Sequence, residues 1–581
     1  MCFFEYIPVC LLALEGMSTL ATFIQTPAAQ LKIYFTQSWN SDLIASLTVA
    51  MIAIPQSMAY ASIAGVNPIF GLYTAIIPAI VASFFGSSNH VVTGPTNTIA
   101  LATSSVLIAL IGQADYHEYV FAVAILTGVF MLLLGVFRLG ALIRYVSNAV
   151  LTGFLAGASI LIILNQLVNI MGIPSSESHK AIDILVHIFS NMNQSNPLVI
   201  FIGMITVIFL LVSKKLWPKL PAALVAMLLI SVSVQFFGWY DYGVRVISDI
   251  GDVSQAGLAF HIPVISLKDG NAQTLLSGAG AIALLSLLEA LTIAKAIGLQ
   301  TGQRINPSRE FIGQGLASIA GVFFRSIPTS GSLSRSAVNF EEGAITRVSS
   351  GLSGVIVLVA LILFKKWIGL IPLVSLSGVV IVSSLHLIDI EHIKLTWRGR
   401  AISRVVLSIT FISVLLLPLQ ISIYLGVLLS ILFYLFESSH LKLTNMVLNG
   451  NGKFSELELD DILQKDPDVV IVNVEGDLYF AAVDDLEAHI NKIIDSSTKV
   501  IILRIRRMRL IASTGVTALE GLLMQAECKG TTILLSGVSE ETLRILRNCG
   551  ISERIGEYNI FPATEIPYAS TRRALECEKQ I

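Results

Sequence analysis

Between residues 42 and 437 the sequence is one apolar run after another, with only short polar stretches between them. That fixes the backbone. In hydrocarbon every N–H and C=O must find a partner within the chain, so runs of this kind must be helices. There is sequence enough for about fourteen crossings at roughly 20 residues each, if some are half-length. The chain is 54% hydrophobic and 13% charged, whereas soluble domains are about a quarter charged. The sequence therefore predicts an α-helical polytopic membrane protein. Residues 1–41 form a cytoplasmic or interfacial segment, 42–439 the transmembrane region, and 440–581 a small soluble domain.

The runs fall into two sets of seven. The first covers 43–64, 71–85, a run opening at Gly94, 120–137, 142–171, 198–212 and 221–237. The second covers 275–298, 311–324, a run opening at Gly331, 352–364, 371–387, 405–417 and 421–436. An odd number per set makes the second enter the membrane from the opposite side, giving inverted repeats over about 42–237 and 274–437. The more polar stretch 238–273 is read as an outer connection.

Helix-breaking chemistry interrupts the third run of each set: Val92-Thr93-Gly94-Pro95-Thr96-Asn97 in the first and Ile327-Pro328-Thr329-Ser330-Gly331-Ser332-Leu333-Ser334-Arg335 in the second. Broken helices in corresponding places of two repeats are the strongest sequence pointer to a transporter's substrate site, because their N-terminal amides aim positive partial charge at an anion. Arg335 adds a full charge beside Ser332 and Ser334. Its alternative role is to hold two helix ends together. Thr96, Asn97 and Thr98 offer donors from the first break, although helix caps would look the same. Gln56 and Tyr60, four apart, share a face of the first run beside Pro55.

Ser286, Glu289 and Thr292 recur every three residues and are read as one face of the eighth run, fit for a proton or Na⁺. The alternative is that Glu289 neutralises Arg335. Ionisable residues at this depth are costly and are functional candidates by default. His386 stands near a segment end before Asp389 and Glu391, where an interfacial role outweighs metal ligation.

A net charge of −2 excludes a strongly basic nucleic-acid binder. Arg138, Arg144, Lys214, Lys215, Lys219, Arg304, Arg309, Arg347, Lys394, Arg398, Arg400 and Arg404 fall in alternate loops, which places both termini in the cytoplasm. Lys365 and Lys366 fall on the outer side, against the rule. Cys2, Cys10, Cys528, Cys549 and Cys577 show no metal-ligand or disulfide spacing. No cofactor motif, P-loop, zinc motif or nucleophile triad is present, so an enzyme is the least favoured class.

The tail alternates strand and helix patterns at 469–474, 486–494, 500–505, 515–526, 531–536 and 540–547, predicting an α/β domain. Ser513 and Thr514 sit at one strand-to-helix junction, where they would either cap the helix or accept a phosphate.

The segments Ile54-Pro55-Gln56-Ser57-Met58-Ala59-Tyr60-Ala61, Gly71-Leu72-Tyr73, Gly94-Pro95, Ile305-Asn306-Pro307-Ser308-Arg309-Glu310 and Gly331-Ser332-Leu333-Ser334-Arg335-Ser336-Ala337-Val338-Asn339-Phe340 resemble the sulfate permease (SulP) family nearly end to end. The tail, with Ser513-Thr514-Gly515, resembles that family's STAS domain. The resemblance implies a core-and-gate bundle of fourteen segments and an anion held between the third and tenth. It also implies a homodimer to which the STAS domains contribute. Its site residues match Gln56, Tyr60, Thr96, Leu333, Ser334 and Arg335, and a carboxylate matching Glu289 couples ions in some members. Ala512 stands where several STAS proteins carry an aspartate, and Leu417-Pro418-Leu419-Gln420 replaces residues often acidic in relatives.

The expectation is a secondary active transporter of inorganic anions in the cell membrane, sulfate first, with H⁺ or Na⁺ as coupling ion and no cofactor. Its partners are the anion, the lipid bilayer and a second copy of the chain. Bicarbonate or dicarboxylate transport, and an anion-sensing signalling or motor protein, are the alternatives. A nucleobase permease would be expected to use paired carboxylates, and only Glu289 is available.

Overall fold

A computed structural model describes residues 38–110, 115–140, 147–174, 178, 180–217, 220–250, 258–263, 271–439, 441–448, 454–457, 468–478, 482–496, 498–511 and 513–578. The segment 1–37, with Cys2 and Cys10, and Arg144, Lys219 and Ala512 lie outside the described residues. By contacts the chain divides into two units, 1–430 and 431–581.

The first unit is helical. Its first repeat runs α1 (Trp39–Ile63), α2 (Pro68–Phe85), β1 (Thr93–Gly94), α3 (Asn97–Val106), α4 (Tyr116–Val136), α5 (Asn148–Met171), α6 (Ala181–Ser190), α7 (Pro197–Leu216) and α8 (Ala222–Phe237). The second runs α9 (Ala272–Thr301), α10 (Pro307–Val322), β2 (Ser330–Gly331), α11 (Leu333–Glu341), α12 (Val348–Gly369), α13 (Leu373–Leu385), α14 (Ile390–Arg398), α15 (Ala401–Leu416) and α16 (Leu419–Ser439), the last continuing past the boundary at 430. Among the described residues nine helical stretches are long and apolar enough to cross a membrane, and the apolar α8 and α15 are shorter. The helices start where capping chemistry permits: Asn67, Asn196 and Asn306 accept amide hydrogen bonds just before Pro68, Pro197 and Pro307, which fill the first helical position without wasting an N–H.

Packing between the repeats is reciprocal. Helix α12 lies on α2 and, in exchange, α10 lies on α4; α12 touches α1 as α4 touches α9; α15 lies on α5 as α13 lies on α7. The half-helices follow the same rule, α3 against α9 and α11 against α1. A pseudo-twofold axis therefore relates the repeats, as inverted topology requires. Two short helices, α6 and α14, were not expected from the apolar runs, because each has one apolar side only. Lys365 and Lys366 follow a kink at Phe364, where the helical φ/ψ is lost.

The two breaks meet on that axis. β1 and β2 pair antiparallel, Thr93 with Gly331 and Gly94 with Ser330, and the Ser332 N–H donates to the Val92 carbonyl at 2.9 Å. Each break thus supplies the backbone partners the other lacks. Helix α9 presses on this pair so closely that a Cβ at Gly331 would lie 2.9 Å from the Ala290 Cα.

The second unit holds a six-stranded sheet in the order β4-β3-β5-β6-β7-β8. Its strands are β3 (Lys442–Leu448), β4 (Phe454–Leu457), β5 (Val469–Leu478), β6 (Val500–Ile511), β7 (Thr532–Val538) and β8 (Ile560–Pro562). Strands β5 to β8 are parallel, whereas β3 is antiparallel to both β4 and β5. Alternation along the strands divides the core: Val470, Val472, Ile501 and Leu503 pack with Leu486, Ile490 and Leu519 on one face, while Ile471, Ile502 and Leu534 pack with Ala574 on the other. The β3–β4 hairpin and the last helix, Ala569–Glu578, are additions to the sequence reading.

Gly331→Ala is expected to destabilise the bundle by about 1–3 kcal/mol, because the nearest atom is backbone and cannot rotate away. Thermal melting of the purified protein in detergent checks it. An unchanged melting temperature would show that α9 does not press on the break.

Candidate functional site

Helices α1, α3, α9 and α11 converge where β1 meets β2, and the polar side chains of the unit's centre gather there. Thr96 caps α3 through its hydroxyl, which accepts the Ile99 N–H. Helix α11 begins at Ser332 without any side-chain cap, so the positive end of its dipole stays open toward the site.

Arg335 is 1% exposed, the largest fully buried side chain described. Its Nη2 donates to the Pro95 carbonyl at 2.6 Å, so the guanidinium reaches from the second break to the first. A Cβ at Gly94 would lie 2.7 Å from Nη1, which is why glycine stands there: the guanidinium lies directly on the backbone. The Nε has no partner, and among the described residues Arg335 forms no ion pair.

Glu289, on α9, is also buried. The Thr96 hydroxyl donates to it at 3.3 Å and the Thr98 hydroxyl donates to its other oxygen. The carboxylate is therefore held by hydroxyls of the first half-helix and not by Arg335, which removes direct neutralisation as its role. Ser286 is wholly buried, its hydroxyl has no partner, and its carbonyl accepts the Ser330 hydroxyl at 3.0 Å. Thr292 is exposed and does not join them. A step of three residues falls about 60° short of a full turn, so two steps carry Thr292 about 120° away from Ser286.

From α1, Gln56 accepts the Ser334 hydroxyl at 3.3 Å, and Tyr60 is 4% exposed one turn further on. Asn97 is buried and its side chain accepts the Thr98 N–H at 3.0 Å. Leu333 and Ser334 stand exposed immediately before the buried Arg335, so the site is reached past the tip of α11. Unpartnered hydroxyls of Ser57, Ser286 and Thr329 surround the breaks. Ser513 and Thr514 belong to the other unit. Both are exposed in the first turn of the helix Ser513–Lys529, and the capping position, residue 512, lies outside the described residues.

A tether that sequence reading missed fixes the first break from the second repeat. Glu310, 2% exposed, accepts the Ser87 N–H at 2.8 Å, the Ser87 hydroxyl at 2.9 Å and the Ser88 N–H at 3.1 Å. Gln314, one turn on, donates to Glu310 at 3.3 Å and to the Thr93 hydroxyl of β1 at 2.8 Å. Arg309 and Arg347 donate to the Phe85 and Gly86 carbonyls, satisfying the open end of α2. Asp42 accepts the Ile345 and Thr346 N–H groups ahead of α12. The signal for Glu310 was an acid in the first turn of an Asn-Pro-capped helix; its partners were invisible.

Residues 39–410 match the Sulfate permease family and residues 462–565 the STAS domain. The chain is 28% identical over 538 residues to a putative sulfate transporter of Bacillus subtilis, covering 92% of this chain and 98% of that one. It is 28% identical over 545 residues to the probable sulfate transporter 4.2 of Arabidopsis thaliana, covering 90% and 79%. The fold matches that of the murine solute carrier 26 family member A9 anion transporter in the inward-facing state, with a TM-score of 0.82 at 19% identity over 94% of this chain and 92% of that one. With two broken helices paired across a pseudo-twofold axis and a family match spanning most of its length, the chain belongs to the sulfate permease family, as a multi-pass membrane protein ending in a STAS domain.

Proposed function

We propose that the protein is a secondary active transporter of inorganic anions, with sulfate as first substrate, working by alternating access. One observation carries this reading: Arg335 is buried at the meeting point of two helix N-termini and, among the described residues, has no carboxylate partner. A buried charge left unpaired is costly. An oxyanion offsets that cost by accepting hydrogen bonds from the guanidinium, from the open amides of α11 and from the hydroxyls of Ser334 and Thr96. Gln56 supplies a neutral donor through its amide nitrogen, Tyr60 and Leu333 shape the walls, and Asn97 stiffens the first turn of α3. Relatives named as sulfate transporters support the choice of anion.

Glu289 is the coupling group in this reading, with Ser286 beside it. Its hydroxyl cage suits either a proton on the carboxylate or a Na⁺ shared among oxygens. The protein needs no cofactor and is not an enzyme. It works as a homodimer in the cell membrane with both termini in the cytoplasm. Uptake of labelled sulfate, bicarbonate and dicarboxylates into proteoliposomes under imposed proton and sodium gradients tests the whole. Binding without turnover would make it a sensor.

Arg335→Ala is expected to weaken anion binding by about 10- to 100-fold, the worth of a charged hydrogen bond of roughly 1.5–3 kcal/mol. Arg335→Lys keeps the charge and should recover part of that loss. Wild-type affinity in both variants, measured by isothermal calorimetry, would leave Arg335 only as the clamp on Pro95.

Glu289→Gln is expected to abolish gradient-driven accumulation while anion exchange continues, because the amide keeps the size of the side chain, its oxygen accepts from one of the two threonine hydroxyls and its NH2 donates to the other once that hydroxyl turns, but it carries neither a proton nor a negative charge for Na⁺. A variant that concentrates sulfate as well as wild type would remove Glu289 from coupling.

A further inference from the structure

Each repeat inserts a short helix between its fifth and sixth elements. Helix α6 leaves Ile182, Val186 and Phe189 uncovered, and α14 leaves Ile390, Leu395 and Trp397 uncovered. Helix α14 has no buried residue at all. Helices too short to span, with apolar side chains on offer, lie in the membrane interface. The two sit at opposite ends of α7: α6 precedes its first turn in the chain, whereas Lys214 in its last turn touches the His386 ring, three residues before Asp389 caps α14.

Their charges differ. Helix α6 carries Asp183 and His187, preceded by Lys180. Around α14 stand Lys394, Arg398, Arg400 and Arg404, joined by Lys214 and Lys215 from the end of α7. Among the described residues Lys214, Lys215, Lys394, Arg398 and Arg404 form no ion pair. The acids nearby are Asp389, which accepts from the His392 N–H and ring, and Glu391. These cations are exposed and spread over several turns instead of converging in a cleft, and apolar side chains stand uncovered between them. Trp217 and Trp397, 60% and 56% exposed, fall where indoles settle at headgroup level.

We propose that α14 and the basic residues around it form a binding surface for anionic phospholipid headgroups. The apolar side chains enter the acyl boundary while the cations meet phosphates in the headgroup plane. The related helix α6, in the same place of the other repeat, has the apolar part without a cluster of basic residues, so the basic part is not required by the helix's place in the repeat. Whatever anion the central site carries, this surface stands apart from it.

The test compares phosphatidylglycerol with phosphatidylcholine on the purified full-length protein, counting bound lipid by native mass spectrometry. Wild type should prefer phosphatidylglycerol, and high salt should erase the preference. Neutralising Lys214, Lys394, Arg398 and Arg404 together to Gln should lower the preference by about tenfold or more, since each cation near an anionic surface contributes about a fivefold factor. Equal binding of the two lipids by wild type would overturn the proposal whether or not the variant folds. So would an unchanged preference in the variant, or displacement of phosphatidylglycerol by inorganic phosphate at equal concentration, which would mark a soluble-anion site. A variant that melts lower in phosphatidylcholine alone would show that the cations hold protein instead of lipid, and that too would overturn it.

Discussion

The structure turns on two interrupted helices that cannot exist alone. At membrane depth a broken helix leaves amides and carbonyls with no water to bond, and each unmet group costs several kcal/mol. Here each break meets the other, through the Thr93–Gly331 and Gly94–Ser330 pairing and the Ser332-to-Val92 hydrogen bond. Because the two segments run antiparallel, two residues from each side suffice. The reciprocal packing of α12 on α2 and of α10 on α4 carries that axis outward through the bundle.

The centre so formed is polar but unevenly satisfied. Around the loop that enters the first break nearly everything is paired: Glu310 on Ser87 and Ser88, Gln314 on Thr93, Arg347 on Gly86. At the breaks themselves Ser57, Ser286, Thr329 and the Nε of Arg335 have no partner among the described residues. Buried polar atoms are normally satisfied, so a cluster of exceptions marks a place built for something else to bind. The largely bonded surround makes the open centre possible, because it holds the backbone in place without help from a substrate.

Much of this was legible in the sequence, and for definite reasons. Gly94-Pro95 and Pro328 to Ser332 break helices by local chemistry, so their positions needed no partner to be read. Seven elements per repeat followed from apolar length alone, and the α/β order of the tail from strand and helix periods. What was not legible depends on distant partners. Glu310 meets Ser87 across 223 residues, and nothing local to either distinguishes a buried tether from a first-turn acid on a helix. Thr292 was misplaced because spacing by three looks like one face over a single step and drifts off it over two. Helices α6 and α14 escaped because an amphipathic segment of nine or ten residues resembles a loop when only continuous apolar runs are counted. The β3–β4 hairpin escaped for a related reason: Lys442, Thr444 and Asn445 dilute the strand signal of β3, and the edge strand β4 has only four residues.

Charge separation at the centre bears most on mechanism. Had Glu289 paired with Arg335, the site would be neutral when empty and an entering anion would have to displace a carboxylate. Instead Thr96 and Thr98 hold the carboxylate while Pro95 holds the guanidinium, so in the proposed mechanism the positive charge is left for the anion and the negative charge is bound by the first half-helix. Thr96 touches both parts of this arrangement, as cap of α3 and as donor to Glu289. In the proposed mechanism a change in the ionic state of Glu289 would thus reach the anion through the cap of the helix that faces it, and a single hydroxyl would link the two sites whose occupancy biases the alternating-access motion.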